Sequence, residues 1–119
     1  MSPTSGPARS KVTTHVLDAV TGRPAVGVAV VLERREPGGW GLVAEGRTDD
    51  DGRVGRLGPD ELDAGTYRVT FAVAAYFAEH GQETFYPEVV IGFTLDDPAA
   101  HYHVPLLLSP YAFSTYRGS

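Results

Sequence analysis

Residues 66–73, Thr-Tyr-Arg-Val-Thr-Phe-Ala-Val, follow a period of two along their whole length. Successive side chains of a strand leave opposite faces, so Tyr67, Val69, Phe71 and Val73 share one face. Thr66, Arg68 and Thr70 take the other. The same period recurs at residues 26–35, with Val26, Val28, Val30 and Leu32 facing one way. It recurs again at 88–95, with Val89, Ile91, Phe93 and Leu95 pointing inward. Glycine and proline interrupt the pattern at regular spacing: Thr21-Gly22-Arg23-Pro24, Pro37-Gly38-Gly39, Asp51-Gly52 and Ser109-Pro110. A chain patterned this way buries its apolar side chains as sheets, and it predicts an all-β sandwich.

Further strands are expected at 12–18, 40–48, 53–57, 102–108 and 112–117, which makes eight. Residues 74–80 carry Ala, Tyr, Phe and Glu and predict the one helix, stopped by Gly81. The expectation is a two-sheet antiparallel β-sandwich of about eight strands with one short helix. Residues 1–10, rich in Ser, Pro and Gly, are expected to be disordered. Residues 11–119 form one domain with no internal repeat.

At 119 residues the chain can bury a core without staples, and it has none to use, since it contains no cysteine. A net charge of −5 opposes sequence-independent binding to nucleic acid, which needs a basic stripe. No window reads as a membrane span, and residues 1–10 lack the apolar core of a secretory signal. The expected setting is the cytoplasm, with no membrane partner.

The chemistry-bearing groups gather near the C-terminus. Tyr102, Val104, Leu106 and Leu108 form the apolar face of the strand at 102–108, so His101, His103 and Leu107 look the other way. On the strand at 12–18, Val12 and Val16 take one face, and His15 leaves with Thr13 and Leu17. If both strands share a sheet, His15 and His103 project from one outer surface. Two imidazoles, which titrate near neutrality, can exchange general-base and general-acid roles; ordinary exposed histidines are the plain alternative. Arg53, just after the Asp51-Gly52 turn, carries a planar fork suited to gripping a carbonyl edge and stabilising an anion. It also fits a solvated edge-strand arginine. His80 reads as a cation at a helix C-terminus. Asp49-Asp50-Asp51-Gly52 lacks calcium-loop spacing and reads as a solvated turn. His101, His103 and His15 also permit a zinc reading, for which no carboxylate can be placed behind the ligands. No nucleophile elbow or phosphate loop is present, and no cofactor or metal is expected.

Thr14-His15-Val16-Leu17-Asp18, Asp51-Gly52-Arg53, Phe85-Tyr86-Pro87-Glu88 and the run from His101 through Pro110 together resemble the transthyretin-like 5-hydroxyisourate hydrolases. The resemblance spans about residues 12–119. The closing Tyr116-Arg117-Gly118-Ser119 is its specific part, because carrier transthyretins share the fold and lack that ending. Ala112 and Phe113 stand where the family often has Gly and Tyr, and Thr13-Thr14 replaces Ser-Thr. The resemblance implies hydrolysis of 5-hydroxyisourate to 2-oxo-4-hydroxy-4-carboxy-5-ureidoimidazoline in urate breakdown. It implies His15, Arg53, His103 and Ser119 as catalytic residues, with His15, Arg53 and Tyr116 binding substrate. It further implies a homotetramer, a dimer of dimers with sites at the dimer–dimer interface. A transthyretin-like carrier without catalysis, a zinc hydrolase and a purely structural sandwich are the competing readings. Deleting residues 116–119 is expected to abolish turnover while far-UV circular dichroism stays that of the full chain.

Overall fold

A computed structural model describes residues 10–118. These form nine strands and one helix: β1 (Val12–Asp18), β2 (Arg23–Pro24), β3 (Ala29–Glu36), β4 (Gly39–Arg47), β5 (Arg53–Val54), β6 (Gly65–Phe71), α1 (Val73–Glu79), β7 (Val89–Leu95), β8 (Tyr102–Ser109) and β9 (Ala112–Thr115). One sheet runs β4-β3-β6-β7; the other runs β2-β1-β8-β9, with β5 also paired to β1. The expected all-β, transthyretin-like sandwich is the architecture found. Its sheets are antiparallel except at one place, where β1 and β8 lie parallel, from Val12 opposite Tyr102 to Asp18 opposite Leu108.

The inward faces follow the period-two pattern. Tyr67, Val69 and Phe71 from β6 are fully buried against Val30 and Leu32 of β3, Leu95 of β7, and Leu106 and Leu108 of β8. Burying an aliphatic or aromatic side chain of this kind contributes about 1.5–3 kcal/mol, so these rows supply most of what holds the sheets together.

Four expected boundaries move, each for a local reason. The strand expected at 26–35 begins at Ala29, because a turn over 26–27 leaves Val26 exposed while Val28 stays in the core. The strand expected at 53–57 shortens to two residues, and a two-residue β2 appears inside the expected turn at 23–24. Val73 is buried as expected, but as the first residue of α1 rather than the last of β6. The strand expected at 112–117 stops at Thr115. Ser10 is buried, its hydroxyl donating to the Val12 carbonyl at 2.6 Å and accepting from the Leu57 amide at 2.8 Å. The remainder of the segment expected to be disordered, residues 1–9, lies outside the described residues.

The helix is tied to β1 by one buried polar contact. The Tyr76 hydroxyl donates to Asp18 Oδ2 at 2.8 Å, while Asp18 Oδ1 accepts the amides of Val20 at 2.9 Å and Thr21 at 3.3 Å. His80 closes the helix with its ring nitrogen Nδ1 2.8 Å from the Tyr76 carbonyl. Burial, and then the hydrogen bond to Asp18 and its negative charge, hold the Tyr76 phenol well above the usual tyrosine range. The fold therefore needs the neutral phenol. That stabilisation is complete below the ordinary tyrosine pKa of about 10 and is lost as the pH climbs above it. Tyr76→Phe is expected to cost about 1.5–3 kcal/mol near neutrality, the worth of a hydrogen bond to a charged group. Its stability should also fall less steeply than wild type above pH about 10, both effects being readable from urea denaturation at several pH values.

Candidate active site

β1 is the shared element of the site. Along one edge it pairs with β8 and along the other with β2 and β5. His15 lies opposite Arg53 of β5 and Pro105 of β8, and Thr13 lies opposite His103. Side chains paired across strands leave the same face, so His15, Arg53 and His103 issue from one outer surface, as the sequence leads one to expect. His15 and His103 are half-buried there and Arg53 is exposed.

Arg53 owes its place to the turn before it. Asp49 Oδ1 accepts the amides of Asp51 and Arg53, both at 2.9 Å, so the first aspartate of the acidic run orders the turn. Gly52 adopts φ 77° and its carbonyl accepts the Val16 amide at 2.7 Å. A Cβ at this position would run into the Val16 carbonyl. Only glycine lets the turn press this closely on β1 and set Arg53 opposite His15.

His103 is held from two sides. The Thr13 hydroxyl oxygen lies 2.8 Å from His103 Nδ1 and 3.0 Å from His101 Nε2, which joins the two rings through a single group. Across the ring, the Gly118 amide donates to the His103 carbonyl at 2.9 Å. A Cβ on Gly118 would stand 2.5 Å from His103 Cδ2 and 3.1 Å from Cγ, so the backbone lies flat against the imidazole. The neighbouring Arg117 guanidinium stacks 4.5 Å from the centre of the Tyr102 ring. The Tyr102 hydroxyl in turn donates to Asp96 Oδ1 at 2.8 Å. That bond first, with Arg117 adding a smaller share, holds the Asp96 carboxyl below the usual range. These contacts anchor the chain end at the site instead of leaving it to fray.

Tyr116 is exposed and borders a cleft of about 340 Å³ that also touches Ile91, Phe93, Tyr102, His103 and Arg117. The cleft meets His103 but neither His15 nor Arg53. Ser119 lies outside the described residues. Among the described residues no three His, Cys, Asp or Glu side chains gather as a metal-binding group. Two contacts on His103 are not evident from sequence pattern: the Thr13 bridge, which spans 90 residues, and the close approach of Gly118. The only hint of the first is that Thr13 shares a face with His15. Gly118→Ala is expected to push the His103 ring out of place, lowering turnover at least tenfold, of the order seen when a ligand-orienting contact is lost, with an unchanged circular dichroism spectrum.

Comparison with known proteins agrees with this geometry. Residues 12–118 match the HIUase/Transthyretin family. The chain is 49% identical over 106 residues to the 5-hydroxyisourate hydrolase of Salmonella dublin, covering 88% of this chain and 78% of that one. The structure of Klebsiella pneumoniae 5-hydroxyisourate hydrolase superposes with a TM-score of 0.81 at 37% identity, covering 91% of this chain and 98% of the other. Sea bream transthyretin in complex with thyroxine superposes with a TM-score of 0.86 at 33% identity, covering 91% and 94%. Backbone similarity thus does not separate the enzyme from the carrier, and the side chains must. By sequence, fold and the residues gathered on its outer sheet face, the chain belongs to the HIUase/Transthyretin family.

Proposed function

We propose that this protein is a hydrolase of urate breakdown that opens 5-hydroxyisourate with water to 2-oxo-4-hydroxy-4-carboxy-5-ureidoimidazoline. The observation that carries the reading is the register of β5, β1 and β8, with His15, Arg53 and His103 on one face. A carrier of an apolar ligand has no use for two imidazoles and a guanidinium converging this way. A ureide hydrolase needs all three.

The substrate's ring carbonyl is an amide-type carbon open to water. His103 takes the proton of the attacking water, and His15 orients that water or relays the proton to the departing ring nitrogen. Arg53 grips the carbonyl edge and stabilises the oxyanion formed on attack. Tyr116 positions the ring, and Ser119 completes the hydrogen bonding around it. No metal or cofactor enters the reaction.

Assembly as a homotetramer, a dimer of dimers, belongs to the same proposal. Arg53 stands exposed on an outer sheet face, where a bound substrate would meet water on its far side. A second copy facing that surface supplies the missing wall. β7 and β9 end their sheets, with Phe85 71% exposed and Tyr111 63% exposed beside β9. Sheet edges and aromatic patches of this kind favour pairing between copies. A cytoplasmic setting is in keeping with a chain that contains no cysteine.

The decisive experiment is direct kinetics on freshly generated 5-hydroxyisourate, followed by ultraviolet absorbance and by the optical activity of the product. Spontaneous decay makes the rate difference the relevant quantity. Wild-type protein is expected to accelerate decay and yield an optically active product, whereas a carrier would leave the rate unchanged. His103→Ala is expected to lose about 10²- to 10⁴-fold in turnover, the usual share of a general base; near-wild-type turnover would remove His103 from the mechanism.

A further inference from the structure

We propose that Thr13 and His101 are positioning residues for His103, and that the Thr13 hydroxyl fixes which ring nitrogen of His103 carries the proton. The inference rests on the reading of His103 as the base. It follows from one oxygen lying 2.8 Å from His103 Nδ1 and 3.0 Å from His101 Nε2.

A hydroxyl has one proton to donate and two lone pairs to accept with. It can satisfy both rings only if at least one of the two facing nitrogens carries a hydrogen. The arrangement that leaves His103 able to act as a base is a directed chain. His103 Nδ1–H donates to Thr13 Oγ1, and the Thr13 O–H donates to His101 Nε2. His103 Nε2, on the opposite side of the ring, then presents its lone pair. When Nε2 takes a proton from water, the Nδ1–H bond to Thr13 strengthens and holds the imidazolium in the same plane. In the reversed chain His101 donates to Thr13 and Thr13 donates to His103 Nδ1. That direction puts the proton on Nε2 and disables the base.

Thr13 is suited to this work. It is 4% exposed, so water does not compete for its hydroxyl, and its β-branched side chain has few rotamers on a strand. It sits opposite His103 in the parallel pair, and Gly118 blocks the ring from swinging away. The charged groups around the chain are few. Lys11 of β1 spends its ammonium on the Pro98 and Ala100 carbonyls just ahead of His101. Arg117 stacks on Tyr102. His15 and Arg53 lie further along the same face.

The test compares Thr13→Val, Thr13→Ser and His101→Phe with His103→Ala, using 5-hydroxyisourate kinetics and ¹⁵N NMR of the histidine rings. Thr13→Val is expected to lower kcat about 10- to 100-fold, as losing the partner of a functional histidine does. KM should stay close to wild type. Thr13→Ser, which restores only the hydroxyl, should recover most of the loss, and His101→Phe should show a smaller fall in kcat. In the wild-type protein the neutral His103 ring should be found as its Nδ1–H form, and Thr13→Val should shift it toward Nε2–H. Wild-type kcat in Thr13→Val, with His103→Ala inactive, overturns the inference and leaves the base assignment standing. Full activity in His103→Ala overturns both. Should Thr13→Val fail to fold, the wild-type NMR still decides: a neutral His103 protonated on Nε2 overturns the proposal.

Discussion

Everything at the site depends on β1 having neighbours on both edges. Its seven residues accept β8 in parallel on one side and share the other side between β2 and β5. That single strand therefore sets the register of Arg53 and of His103 at once. A slip of one residue on either edge would turn the paired side chains to the opposite face. The register is secured from within, because Val12 and Val16 are fully buried and the Thr14 hydroxyl donates to the Val104 carbonyl at 2.6 Å beneath the sheet. The apolar face thus locks the polar one. The Gly52 turn does the same for β5 by pressing its carbonyl against the Val16 amide.

Much of this is legible in the residues themselves. The strand at 12–18 keeps its expected limits, and the alternation at 88–95 and 102–108 correctly assigns the core side chains of β7 and β8. These segments read well because one face is apolar without interruption. The strand expected at 26–35 loses its start because a turn claims Val26, although the apolar alternation runs through it. Val73 continues the pattern of β6 but is buried just as well in the first turn of α1, and period alone cannot distinguish those outcomes. The outward direction of His15 and His103 follows from alternation, whereas the parallel pairing of their strands does not. The Thr13 bridge and the Gly118 contact join segments far apart in the chain, which local pattern does not encode.

The family holds both carriers and hydrolases, and the backbone is indifferent between them. Function here resides in a few outward side chains on a shared scaffold. The sheet that carries them must be stiff, since a general base loses most of its effect when misplaced by about 1 Å. The opposite sheet, β4-β3-β6-β7, contributes none of His15, Arg53 or His103. Its share is the core rows that hold the catalytic sheet flat.

The parallel pairing also has a bearing on how the molecule is made. β3, β4 and β6 are neighbours in sequence as well as in space, so their sheet can begin from short-range hairpin contacts. β1 must wait for a strand 90 residues downstream before its main partner exists. Closing so wide a loop carries an entropic cost that must be met before its contacts return anything, which makes such pairings slow. The structural half of the sandwich is thus placed to assemble first. The half that bears the chemistry is finished last, and until β8 arrives β1 is an apolar strand with one open edge, the moment at which chaperones and wrong partners compete for it.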